Sequence, residues 1–311
     1  MKKLHYILGL VFLISNGVFS QKIDIKKNGG HLISVWTLGK DIKARVFLET
    51  GFPKIVFDES YIKKHADALG VELKIPERDL HVGFWGSKGK HKVSYIIKDS
   101  ITVNGIPMEI DAVVIDAKNI KSWKERDILF PLRDLNRRVE INIDGQYMRI
   151  MDDSELIGED YIEYPAQSDP ATKALYFNTK LKAFDKNGKA EELNGNFQLD
   201  LGAANAIYVN KNLEQSIDFV KNCDRMTMKD KSRISGPKMD LTIIMPEKVQ
   251  IDNIELTDTY IVGMKYAQSR NSDKYSGNIG NGFFSNFSVI FDFNNERIYF
   301  KPLSDEVTII D

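Results

Sequence analysis

Asn196-Phe197-Gln198-Leu199-Asp200-Leu201-Gly202-Ala203-Ala204-Asn205-Ala206-Ile207-Tyr208-Val209 reads as an apolar strand that delivers a carboxylate to a turn of glycine and small residues, followed by a second apolar run. Taken alone, an Asp just before a glycine is also an ordinary β-turn. A carboxylate set directly after Phe197 and Leu199 is costly to bury unless backbone N–H groups or a partner hold it. The first half of the chain repeats the order of features in Ala44-Arg45-Val46-Phe47-Leu48-Glu49-Thr50-Gly51-Phe52-Pro53-Lys54-Ile55-Val56-Phe57, and the two acids lie 151 positions apart. Ser100-Ile101-Thr102-Val103-Asn104-Gly105-Ile106 answers Lys248-Val249-Gln250-Ile251-Asp252-Asn253-Ile254 at a spacing of 148. Asn142-Ile143-Asp144-Gly145-Gln146-Tyr147-Met148-Arg149-Ile150 answers Asp292-Phe293-Asn294-Asn295-Glu296-Arg297-Ile298-Tyr299-Phe300 at 150. Three matches at nearly one offset predict an internal duplication, and two long copies imply a pair of lobes rather than a solenoid.

The start of the chain has the pattern of an export signal: Lys2 and Lys3, an apolar run over 7–14, then Val18 and Ser20 ahead of Gln21. That run is well short of the ~20 residues a spanning helix needs, and no cysteine stands at the cleavage point for lipid attachment. The expected organisation is a signal peptide over 1–20, an N-terminal lobe over 21–153, a connection over 154–170 and a C-terminal lobe over 171–311. The protein is expected to be exported, periplasmic or secreted, with no membrane attachment after the signal is removed. With 43 Lys and Arg against 44 Asp and Glu, the net charge of −1 offers no electrostatic footprint for nucleic acid. The lone cysteine, Cys223, permits an oxidising compartment but no intrachain disulfide, and it reads as a packed thiol. Nothing in the sequence fixes the oligomeric state.

Along the chain, residues 32–36 and 42–48 read as strands, and 61–69 as a short helix with Ser60 as N-cap and Gly70 at its end. Phe84-Trp85-Gly86-Ser87-Lys88-Gly89 reads as a glycine-rich hairpin tip carrying exposed aromatic surface. Asp144-Gly145 and Asn294-Asn295 are hairpin signals. A second short helix is expected over 213–220, matching 61–69 in place, while Ser235-Gly236-Pro237-Lys238 occupies the place of the aromatic hairpin without an aromatic.

Two similar β lobes, each offering one acid from the same turn, would bring Glu49 and Asp200 together across a pseudo-twofold axis. Carboxylates that close share a proton, so that one acts as base toward a water and the other as acid toward a carbonyl. No metal or other cofactor is expected: the histidines at 5, 31, 65, 81 and 91 lack metal-ligand spacing. Gly-x-Ser-x-Gly is absent, and the glycines over 277–282 precede strands rather than a βαβ unit, which speaks against a phosphate loop.

At these residues the sequence resembles the bilobed aspartic peptidases, in particular the retropepsin-like aspartyl protease proteins of bacterial envelopes. Asp200-Leu201-Gly202-Ala203 is similar to the family's Asp-Thr/Ser-Gly-Ala/Ser turn, and Glu49-Thr50-Gly51 occupies the equivalent place. Ile279-Gly280 resembles the hydrophobic-Gly segment that buttresses the active aspartate, and Phe84, Trp85, Gly86 and Ser87 resemble the flap that closes over bound peptide. The resemblance implies a mostly β fold of two pseudo-twofold-related closed barrel lobes with a cleft between them, and a peptide or protein as substrate or ligand. It also implies Glu49 and Asp200 as the catalytic pair. Four positions depart from the pattern: Glu49 in place of Asp, Leu201 in place of Thr or Ser, Phe52 in place of a small residue, and Ile128-Leu129-Phe130-Pro131 without the buttressing glycine. Three readings follow: an exported endopeptidase, a non-catalytic descendant that binds extended chains in its cleft, and a structural envelope protein with the cleft filled.

Overall fold

The computed structural model describes residues 22–28, 30–83, 90–120, 123, 125–170, 172–209, 223–229, 240–264 and 276–310. The chain is mostly β and forms two multi-stranded sheets. Strand Ile42–Glu49 keeps Ala44, Val46 and Leu48 buried by alternation, and it runs parallel to Ile128–Pro131, with Glu49 opposite Pro131. Ile128–Pro131 is antiparallel to Ile55–Asp58, which is parallel to Ile106–Ile115. In the second half Ala190–Leu199 is parallel to Gly277–Ile279, that strand is antiparallel to Ile207–Val209, and Ile207–Val209 is parallel to Ile261–Met264. Each acid therefore leaves a strand whose parallel neighbour is supplied from about 80 residues further on, because parallel pairing demands a long crossover. The sequence repeat is also a repeat of strand pairing.

The two halves share one sheet. Its order begins Ile162–Pro165, Arg297–Pro302, Phe287–Asp292, Val139–Asn142, Tyr147–Ile150, Lys22–Asn28 and continues through the strands of the first half. Both expected hairpins form here, with Asn142 opposite Tyr147 and Asp292 opposite Arg297. Asn142 Oδ1 accepts the Gly145 N–H at 2.6 Å and Asp292 Oδ1 accepts the Asn295 N–H at 3.1 Å, which closes the two turns in the same way. A single bridge between Leu38 and Val103 also ties strand His31–Leu38 to Lys90–Val103. One continuous core runs through both halves and contains Leu48 and Phe130 as well as Leu199 and Ile279.

The expected first helix spans Glu59–Leu69, and its N-cap is Asp58 rather than Ser60. Asp58 Oδ2 accepts the Ser60 and Tyr61 N–H groups at 3.1 and 3.2 Å, whereas Ser60 already lies inside the first turn. Gly70 closes the helix in the left-handed conformation, as expected. The expected helix over 213–220, the aromatic tip at 84–89 and the segment 235–238 lie outside the described residues. Paired strands flank both segments, with Gly83 opposite Lys90 and Lys229 opposite Asp240.

Glu140 fastens the shared sheet. Its carboxylate accepts the hydroxyls of Tyr147, Tyr161 and Ser288 at 3.0, 3.0 and 2.8 Å and pairs with Arg149 Nε at 2.6 Å, so one buried acid joins three separate segments. Burial works to raise this carboxyl, but the Ser288 and Arg149 contacts outweigh it and hold the group below the usual range. Its stabilising contribution is thus present above the ordinary carboxylate range and is lost as pH falls through the lowered value. Glu140→Ala should cost about 3–5 kcal/mol in chemical denaturation at neutral pH, because it leaves Arg149 and three hydroxyls without the charge they surround. The gap from wild type should narrow below about pH 4.

Candidate active site

The two acid turns meet. Thr50 Oγ1 donates to Leu199 O at 2.7 Å and accepts the Leu201 N–H at 2.9 Å, so the hydroxyl of one turn brackets the backbone of the other. Leu201 has no hydroxyl to return the contact and packs in the core instead. A second brace runs from Asn281, whose Nδ2 donates to Leu201 O at 2.8 Å and to Gly30 O at 2.9 Å. Its counterpart in the first half is Arg133, which donates to Thr172 O.

Each carboxylate is held by its own glycine. Asp200 Oδ1 accepts the Gly202 N–H at 2.8 Å, and Glu49 Oε1 accepts the Gly51 N–H at 2.9 Å and the Thr50 N–H at 3.2 Å. The longer glutamate therefore folds back onto the amide position that an aspartate would use. Its other oxygen, Oε2, reaches across to Gly202, where a Cβ would stand only 2.1 Å away. Glycine at 202 is what admits the opposing acid. Asn278 Nδ2 donates to Asp200 Oδ2 at 2.5 Å, and Asp200 N–H donates to Ile279 O at 2.9 Å. Ile279 is buried, Gly280 N–H donates to Ala206 O, and Ala203 O accepts the Asn281 N–H, so the buttress and the Asp200 turn are one bonded unit.

The two carboxyls meet at Gly202, where a Cβ would stand 2.1 Å from Glu49 Oε2 and 3.0 Å from Asp200 Oδ1. Burial, then the charge of Asp200, pushes Glu49 well above the usual carboxylate range. Burial also raises Asp200, but the bonds from Glu49, Gly202 and Asn278 oppose it. Two carboxyls pushed upward together in this way share one proton between them. Such a pair can activate a water and protonate a carbonyl in one step.

Of the residues singled out in the sequence, Glu49, Thr50, Gly51, Asp200, Leu201, Gly202, Ala203, Ile279 and Gly280 gather at this point, while Phe84, Trp85, Gly86 and Ser87 lie outside the described residues. Sequence reasoning missed Asn278, which carries no motif of its own, and it missed His31 and Arg126. His31 Nδ1 donates to Gly202 O at 3.0 Å, and burial keeps its imidazole below the ordinary value. Cys223 is buried, with its thiol 3.8 Å from Phe184 O. Among the described residues no group of three or more His, Cys, Asp or Glu is placed to hold a metal ion. No protein-family model matches the chain, and no curated protein matches it in sequence.

Proposed function

We propose that this is an exported aspartic-peptidase-like protein, in which two acid-protease-type barrel lobes, one on each side of the connection over 154–170, enclose a peptide-binding cleft. The observation that carries the reading is the meeting of Glu49 and Asp200 at Gly202, presented by two turns of the same pairing pattern and locked together through Thr50. In this reading Asp200 takes a proton from a water, the hydroxide adds to the peptide carbonyl, and Glu49 gives its proton to the carbonyl oxygen. Breakdown of the tetrahedral intermediate returns a proton to the leaving amine, and the pair ends as it began. No cofactor takes part. The aromatic tip around Trp85 acts as the lid, and the pattern at 1–20 directs export.

One specific observation favours a second reading, in which the cleft binds extended chains without cutting them: Leu201 cannot return the brace that Thr50 provides, so one turn is held less firmly than the other. Digestion of a peptide library from pH 3 to pH 8 separates the two. Cleavage confined to the range where the pair carries one proton, as a bell-shaped profile, is the expected result. Binding of library peptides without any new termini would establish the second reading and end the first.

A further inference from the structure

Next to the carboxyl pair lies a cation that the chemistry above does not use. Arg126 is fixed by its backbone, since its N–H donates to Trp123 O at 3.1 Å and the next residue's N–H donates to Arg45 O at 2.8 Å. Its guanidinium lies over the ring of Phe47, 4.2 Å from the centroid, and Phe47 stands two residues before Glu49 on the same strand and face. His31 packs edge-on against the same ring at 5.1 Å and bonds to Gly202 of the opposing acid turn, so Phe47 carries the cation and the imidazole together beside the dyad.

The carboxylates around Arg126 are engaged elsewhere. Asp127, its neighbour in sequence, forms a two-pronged pair with Arg45 at 2.8 and 3.0 Å. Glu49, the other acid that acts on Arg126, is committed to the Thr50 and Gly51 N–H groups. Among the described residues no ion pair engages Arg126, and its Nε is buried without a hydrogen-bond partner. Burial lowers the guanidinium to about 10, which still leaves it charged at neutral pH. Half-buried charges are normally paired, and one kept apart from acids beside a reactive pair has the character of a ligand-binding group.

We infer that Arg126 is a specificity-determining residue: lying over Phe47 beside Glu49, it receives a carboxylate of the bound chain close to the bond held by the carboxyl pair. This rests on the peptide-cleft reading. The carboxylate belongs to an acidic side chain or to the chain's C-terminus, both of which offer the planar, two-oxygen partner a guanidinium prefers.

The test is fluorescence-polarisation binding of three short labelled peptides to the purified protein: one amidated with a central glutamate, one amidated with glutamine there, and the glutamine peptide with a free C-terminus. A carboxylate-bearing peptide should bind about tenfold tighter than the neutral one. High salt should narrow the margin, Arg126→Gln should abolish it, and Arg126→Lys should retain part of it. The peptide that gains identifies the source of the carboxylate. Equal binding of all three by the wild type, or a preference that survives Arg126→Gln, overturns the inference while leaving the cleft intact. If none of the three binds or is cut, the peptide-cleft reading fails and this inference fails with it.

Discussion

Asp200→Asn should abolish peptide cleavage and, at the same time, make the protein more stable at neutral pH. The first effect follows from losing the base of the pair, a change of at least ~10²–10⁴-fold in rate. The second follows from the direction of the two shifts. Both carboxyls titrate above their ordinary ranges because they are buried, so the native state binds protons more readily than the unfolded chain does. Stability tied to the pair is therefore greatest in acid and declines as pH rises through the raised values. An amide at position 200 carries no charge to bury, and it can still accept the Gly202 N–H that Asp200 Oδ1 accepts now. Thermal melts across pH should show the wild type losing ground to Asp200→Asn between acid and neutral conditions, a trade of stability for reactivity. If the variant melts at the same temperature as wild type throughout, the pair is not a buried, proton-sharing dyad. If any cleavage survives the substitution unchanged, Asp200 is not its base.

Gly280→Ala should be among the most damaging single changes available outside the dyad. A Cβ there would stand 2.4 Å from Asn205 O and 2.7 Å from Ala203 O, both backbone atoms of the segment that follows Asp200. Neither can move aside without shifting the turn. Gly277→Ala meets Tyr208 O at 1.8 Å, where two antiparallel strands approach closely. Each substitution should cost about 4 kcal/mol or more in chemical denaturation, beyond the range of an ordinary overpacked core. Gly83→Ala is the matched control. Among the described residues it meets nothing within 4 Å, and it has no left-handed backbone angle, so its effect should stay within about 1 kcal/mol. Gly280→Ala that folded with wild-type stability would show that the buttress yields more easily than its contacts imply.

The acid turns were legible in the sequence because they are repeated, and repetition at one offset is a long-range signal that needs no knowledge of packing. Their hairpins were legible for a local reason, since Asp144-Gly145 and Asn294-Asn295 are turn chemistry. The glutamate's accommodation was not. Its extra methylene looks disruptive on paper, but the side chain folds back to Gly51 N–H and extends its second oxygen to Gly202, a solution that depends on two glycines from different halves. Asp58 was missed as the helix cap because it also ends a buried strand, and the competing Ser60 has equally good capping chemistry. Glu140 lies between Val139 and Ile141 and resembles any solvent-facing residue of an alternating strand. Only the shared sheet, closed by Tyr161 and Ser288 from distant segments, makes it interior. Arg126 and His31 lie outside the repeat altogether, so periodicity carries no information about them.

The shared sheet has a consequence for how the polypeptide comes into being. Val139–Asn142 can pair with Tyr147–Ile150 as soon as residue 150 has been made, but its other edge pairs with Phe287–Asp292, almost at the end of the chain. Until that late segment arrives, a strand of Val, Glu, Ile and Asn presents unpaired N–H and C=O groups to whatever other chains are nearby. The entropic penalty for closing so long a loop rises only slowly with its length, so the finished pairing is not expensive. The waiting is the hazard. A chain cut short before residue 287 keeps both acid turns yet never covers that edge, and it is during this interval of synthesis that the molecule is most exposed to aggregation.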